Sequence, residues 1–193
     1  MRTIIITMLL GGMLAGCTNS NKQTTDNDMD EKLELTQEWD KVFPLSEKVN
    51  HQKVTFKTQY GLTLAADLYT PAASEKGKVK SEKLPAIAVS GPFGAVKEQC
   101  SGLYAMKMAE RGFVALAFDP SYTGESSGEP RRTASPDINT EDFMAAVDYL
   151  SQLENVDAEK IGIIGICGWG GIALNAAAAT PASRLQWPAQ CTI

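Results

Sequence analysis

The segment Gly165-Ile166-Cys167-Gly168 sets a thiol among small residues where the apolar run Ile161 to Ile166 gives way to the Ala-rich stretch Gly168-Trp169-Gly170-Gly171-Ile172-Ala173-Leu174. A strand passing so abruptly into a helix must turn tightly. Small neighbours let the residue at the bend take a strained backbone and hold its side chain outward. A thiol there suits attack on an acyl carbon: the positive end of the helix dipole favours thiolate, and the Gly168 N–H can steady an oxyanion. A second donor is expected from Ser90-Gly91-Pro92-Phe93-Gly94, where Pro92 has no N–H and Phe93 is the natural candidate. The competing reading makes Cys167 a small buried hydrophobe in a Gly-rich junction.

Other chemistries fit less well. Gly168-Trp169-Gly170-Gly171-Ile172-Ala173 matches G-x-G-x-x-A, but no Asp or Glu follows Glu159 to bind a ribose, so no cofactor is expected. The cysteines, Cys17, Cys100, Cys167 and Cys191, form no C-x-x-C pair, and with one histidine there is no zinc site or redox dithiol at workable spacing. Pairing of Cys100 with Cys167 or Cys191 is open, since it depends on geometry. His51 falls just before a strand pattern with no nearby partner to orient it, and reads as a surface residue. The formal charge of −5 and the lack of a Lys/Arg run exclude a nucleic-acid partner.

The elements that must position Cys167 are legible on either side of it. Val54 to Lys57 and Leu62 to Leu68 alternate apolar and polar around Gly61, the pattern of a hairpin. Leu84 to Ser90, Phe113 to Phe118 and Ile161 to Ile166 are continuous apolar runs, suited to strands buried on both faces. Between the first two lies a helical pattern through Leu103 and Met106 that ends at Gly112. Between the second and third, Phe143, Val147 and Leu150 share a helix face, with Thr140 or Asn139 as N-cap and Glu141 and Asp142 at the positive end. Strand, helix, strand, helix, strand predicts an α/β architecture with a parallel sheet and right-handed crossovers.

The strand–Cys–helix junction, the Gly91-Pro92-Phe93-Gly94 loop with Val96-Lys97-Glu98-Gln99, and Ala117-Phe118-Asp119 through Gly124-Glu125-Ser126-Ser127-Gly128-Glu129-Pro130 follow one another in order. From about Val54 to Ala179 the chain resembles α/β-hydrolases of the dienelactone-hydrolase-like and polyketide-transferase-like group. The resemblance implies the N-terminal part of an α/β-hydrolase fold, with an antiparallel hairpin leading into a mostly parallel sheet flanked by helices. It implies hydrolysis of, or acyl transfer from, an ester, thioester or amide of a small-molecule substrate. Cys167 then becomes the nucleophile, with Gly168 and Phe93 as oxyanion-hole donors. Two positions depart from the pattern. Trp169 stands where a small residue is usual, so either the turn relaxes or Gly168 and Gly170 take the strain. Ser90 to Gly94 also lacks the glutamate of dienelactone hydrolases proper.

Met1-Arg2-Thr3 followed by Ile4 to Leu14 resembles a secretory signal, too short to span a bilayer. Leu14-Ala15-Gly16-Cys17 resembles the lipobox of bacterial lipoproteins, which implies acylation of Cys17 and a membrane-anchored protein of the cell envelope. The expected organisation is a lipoprotein signal over residues 1–16, a flexible tether and lead-in over 17–45, a partial α/β-hydrolase domain over 46–181 and an unmatched tail over 182–193. The family's acid and histidine lie beyond the elbow, so the expectation is a truncated, inactive chain whose strand at Ile161 is an exposed sheet edge open to self-association. The alternative is a non-catalytic, membrane-tethered remnant or binding module.

Overall fold

The computed structural model describes residues 33–72, 83–180 and, as backbone, 190–192. The expected signal, Cys17 with its lipidation, the tether up to residue 32 and most of the tail lie outside the described residues. Residues 33–45, expected to be part of a flexible lead-in, are packed on the domain: Phe43 is buried and the Val42 N–H donates to the Glu98 carbonyl at 3.1 Å.

The hairpin comprises β1 (Val49–Lys57) and β2 (Thr63–Pro71), turning at Gly61, whose φ of +77° is the left-handed conformation that glycine adopts without cost. β1 starts five residues earlier than the alternation at Val54 suggests and takes in His51. Next come β3 (Leu84–Ser90), α1 (Cys100–Ala109), β4 (Val114–Phe118), α2 (Pro136–Ser151), β5 (Val156–Ile166), α3 (Trp169–Ala179) and β6 (Gln190–Thr192). The sheet order is β1-β2-β4-β3-β5-β6, with β4, β3, β5 and β6 parallel and the hairpin antiparallel at one side. This is the mixed, helix-flanked sheet of the α/β-hydrolase fold.

Alternate residues of the central strands face two separate cores. Ala86 and Ala88 of β3, with Leu116 of β4 and Ile161 and Ile163 of β5, pack under α2 and α3. Ile87 and Val89, with Ala115 and Ala117, pack under α1 through Ala105, Met106 and Ala109. Gly112, at φ +97°, closes the turn after α1 as expected.

Two expectations need correction. α2 begins with Pro136 at its first turn, so neither Thr140 nor Asn139 caps it; proline's fixed φ suits that position. Asn139 instead accepts from the Ser135 N–H at 2.9 Å and donates to Asp142, which binds Ser121 through the backbone N–H at 2.9 Å and the hydroxyl at 2.6 Å. β5 is not a bare edge, because Gln190–Thr192, within the supposed tail, pairs with Ile164–Ile166.

Candidate active site

Cys167 joins β5 to α3 with φ +59°, and its side chain is exposed. Its carbonyl accepts from the Gly170 N–H at 3.0 Å, closing the first turn of the helix. The turn is therefore tight despite Trp169, and Gly168, with φ −58°, carries no left-handed strain; Cys167 carries it. The bulk of Trp169 is absorbed by the core, where its ring lies 6.1 Å from that of Phe143 and is 2% exposed. Close approach at the other glycine is severe: a Cβ on Gly165 would sit 2.2 Å from the Trp169 carbonyl oxygen.

The loop after β3 presses against this junction. A Cβ on Gly91 would lie 2.6 Å from the Ile166 carbonyl oxygen, and one on Gly168 would lie 2.2 Å from the edge of the Phe93 ring. The Phe93 ring is 54% exposed and lies 5.6 Å from that of Trp169. The structure thus gathers Cys167, Gly168 and Phe93, the residues read from the sequence as a site, at the C-terminal end of the parallel strands. Ligands bind open α/β sheets at that end.

A buried ion cluster behind the loop escaped the sequence reading. Lys97 has no exposed side-chain surface, and its Nζ contacts carboxylate oxygens of Asp119 at 2.9 Å, Glu125 at 2.7 Å and Glu98 at 2.5 Å. The Lys97 N–H also donates to Asp119 at 2.7 Å, and the Glu125 N–H to the same carboxylate at 2.9 Å. Burial alone would depress the lysine, but Asp119, Glu125 and Glu98 together hold it well above its ordinary range. Burial likewise opposes ionisation of Glu125, yet Lys97, the Thr36 N–H and Lys53 bring its carboxyl down to about 2. This cluster locks the loop after β3 to the loop after β4. The Lys-Glu and Gly-Glu-Ser runs were visible in the sequence; their pairing was not.

A cavity of about 830 Å³ opens beside the junction, with Phe93, Val96, Tyr122, Arg131, Arg132 and Trp169 among its walls. The described non-glycine residues with positive φ are Tyr122 (70°), Arg132 (62°) and Cys167 (59°), two on the cavity wall and one at the adjoining turn. Backbone strain of this kind costs roughly 1–3 kcal/mol per residue and tends to concentrate at functional sites.

His51 is not the unpartnered surface residue expected. Its Nε2 lies 2.7 Å from Asp67, its ring packs on Trp39 and Tyr69, and Lys41 meets the other Asp67 oxygen at 3.1 Å. Asp67 stands 16 residues away and is brought within reach only by the hairpin register, which sets it opposite Lys53 and diagonal to His51. The ladder row through His51 runs by Tyr69, Ala115 and Ile87 to Gly162, four strand spacings away, or roughly 19 Å. His51 therefore stays remote from Cys167. Cys100 and Cys167 are both free thiols, which removes the disulfide between them. Among the described residues no cluster of His, Cys, Asp or Glu could hold a metal.

The X-Pro dipeptidyl-peptidase (S15 family) profile matches residues 61–191, running into the stretch expected to be unmatched. Over 176 residues the chain is 62% identical to an uncharacterized protein of Pseudomonas aeruginosa, covering 89% of this chain and 46% of that one. The crystal structure of that protein superposes with TM-score 0.76 at 64% identity, over 82% of this chain and 47% of its own. The acyltransferase drtE of Aspergillus calidoustus is 33% identical over 71% of this chain and 42% of its own length. The α/β hydrolase GrgF from Penicillium is 30% identical with TM-score 0.61, over 70% of this chain and 43% of its own. The chain thus spans a little under half the length of these relatives. With the profile matched over most of the described domain and the parallel strands, loop and turn in place, the chain belongs to the X-Pro dipeptidyl-peptidase (S15) family and has an α/β-hydrolase fold.

Proposed function

We propose that this chain carries the nucleophile half of an acyl-transfer or hydrolytic site. The Cys167 sulfur attacks the carbonyl carbon of an ester, thioester or amide and the leaving group departs with a proton. The acyl group remains as a thioester on the sulfur. The N–H groups of Gly168 and Phe93 hold the oxyanion formed during attack. The observation that carries this reading is the exposed Cys167 side chain on a left-handed backbone between β5 and α3. Relatives named as an acyltransferase and a thiohydrolase, and a family named for a peptidase, support the acyl-carbon class.

The one histidine among the 193 residues, His51, is committed to Asp67 and stands remote from the thiol. A thiol without its base is acylated but turns over poorly. The expected result with p-nitrophenyl acetate is therefore release of about one equivalent of p-nitrophenolate per chain. The acetyl group should appear by mass spectrometry on the peptide containing Cys167, and Cys167→Ala should abolish both signals. An undiminished burst in Cys167→Ala, or label confined to other residues, rejects the proposal. The commitment of His51 also favours the second reading, a non-catalytic binding module, which predicts no burst at all.

We further propose that Cys17 is acylated and holds the protein on a membrane surface. Mass spectrometry of the membrane fraction should show a lipid-modified Cys17 as the first residue; an unmodified Cys17 there would reject it.

A further inference from the structure

We infer that the cavity beside Cys167 selects an acyl donor bearing an anion, a carboxylate or phosphate, with Arg132 as the specificity-determining cation. The inference rests on the reading of Cys167 as the nucleophile, because that is what makes the occupant a substrate. Phe93 and Val96 supply apolar surface for a chain, with Trp169 packed behind them, and the cavity wall includes two arginines and no Asp or Glu. That is a marked local excess in a protein of net charge −5.

The two arginines differ. Arg131 is spent on structure, its guanidinium donating to the carbonyls of Gly124, Ser126 and Gly128 and so bracing the loop after β4. Glu129, the nearest acid in sequence, accepts from the Arg131 N–H at 3.1 Å. Arg132 is fixed through its backbone, its N–H donating to the Tyr122 carbonyl at 2.8 Å with both residues left-handed. Its side chain is exposed, and among the described residues its guanidinium has no carboxylate or carbonyl partner. A pinned, strained backbone that presents an unpaired cation on a wall that otherwise carries only uncharged side chains, Arg131 apart, is arranged to meet an anion. The anion would lie at one end of an apolar segment whose reacting carbonyl lies at the sulfur.

The test compares three six-carbon probes on the whole chain by ligand-observed NMR: hexanoate, hexyl phosphate and neutral hexanamide. Hexanoate or hexyl phosphate should bind about tenfold tighter than hexanamide, as one charge-assisted contact predicts. Whichever anion binds tighter identifies the group. Arg132→Gln should abolish the preference and Arg132→Lys should retain most of it. No preference in the unaltered chain, or one that survives Arg132→Gln, overturns the inference. None of the probes acylates a thiol, so this result stands whether or not Cys167 reacts with esters, and the two failures are separable.

Discussion

At Gly165 and Gly168 the same change, glycine to alanine, meets two different obstacles, and the difference separates folding from chemistry. The methyl group at Gly165 would press on the Trp169 carbonyl at 2.2 Å, backbone that can yield only by unwinding the first turn of α3. Gly165→Ala should cost about 1–3 kcal/mol of stability, the range for overpacking a tight site, measured by urea denaturation. At Gly168 the obstacle is the edge of the Phe93 ring, which is half exposed and free to swing. Gly168→Ala should leave stability within about 0.5 kcal/mol, as for a surface substitution. It should slow acylation of Cys167 on the order of tenfold, because the added methyl and the displaced Phe93 ring crowd the approach of an acyl group to the exposed sulfur beside them. Equal effects of the two substitutions on both readouts would contradict this division.

Two loops, one after β3 and one after β4, keep their places through Lys97. Lys97→Met would leave Asp119 buried without its counter-ion, and breaking a buried pair in this way costs about 3–5 kcal/mol. The cluster also sets the response to acid. Glu125, whose carboxyl is held down to about 2 against an ordinary 4.5, contributes stability that is full above about 4.5 and is lost as pH falls toward 2. Asp142 acts with the opposite sign. Burial raises it to about 6, so its contribution is full below an ordinary 3.8 and is lost as pH rises through 6. In a series of melting temperatures, Glu125→Gln should flatten the loss between pH 4.5 and 2, and Asp142→Asn should flatten the decline between pH 4 and 6. An unchanged slope in either variant would show that the group does not titrate in this way. The sequence made β3, β4 and β5 legible because a doubly buried strand is a continuous apolar run. It concealed Lys97, since a lysine between Val96 and Glu98 reads as solvated until Asp119 and Glu125, 22 and 28 residues on, are brought to it.

Across the whole molecule, the same long-range charge pairing makes the lead-in part of the domain. Polar composition gives Thr18 to Glu31 the look of a tether, and nothing local marks the point in the lead-in up to residue 45 where packing begins. In the fold, the Thr36 N–H donates to Glu125 at 2.7 Å, Asp40 bridges Lys41 and Lys53, and Lys41 reaches Asp67. Asp40 is held down to about 2 because its lysine partners outweigh its burial. Phe43 closes the strap, packing with Val49 and Tyr69 under the sheet. A protease reports directly on such a strap, since cleavage requires a stretch of backbone to leave its bonds and enter an active site. Trypsin should therefore leave the bond after Lys41 intact while the folded domain persists, although lysine is the residue it recognises, because that side chain is fully buried. Asp67→Asn weakens the hold on both Lys41 and His51 and should expose the Lys41 bond at a protease concentration that leaves the unaltered chain uncut. If Lys41 is cleaved in the unaltered chain as fast as in an unfolded reference, the strap is not docked in solution and the boundary of the domain moves back toward β1.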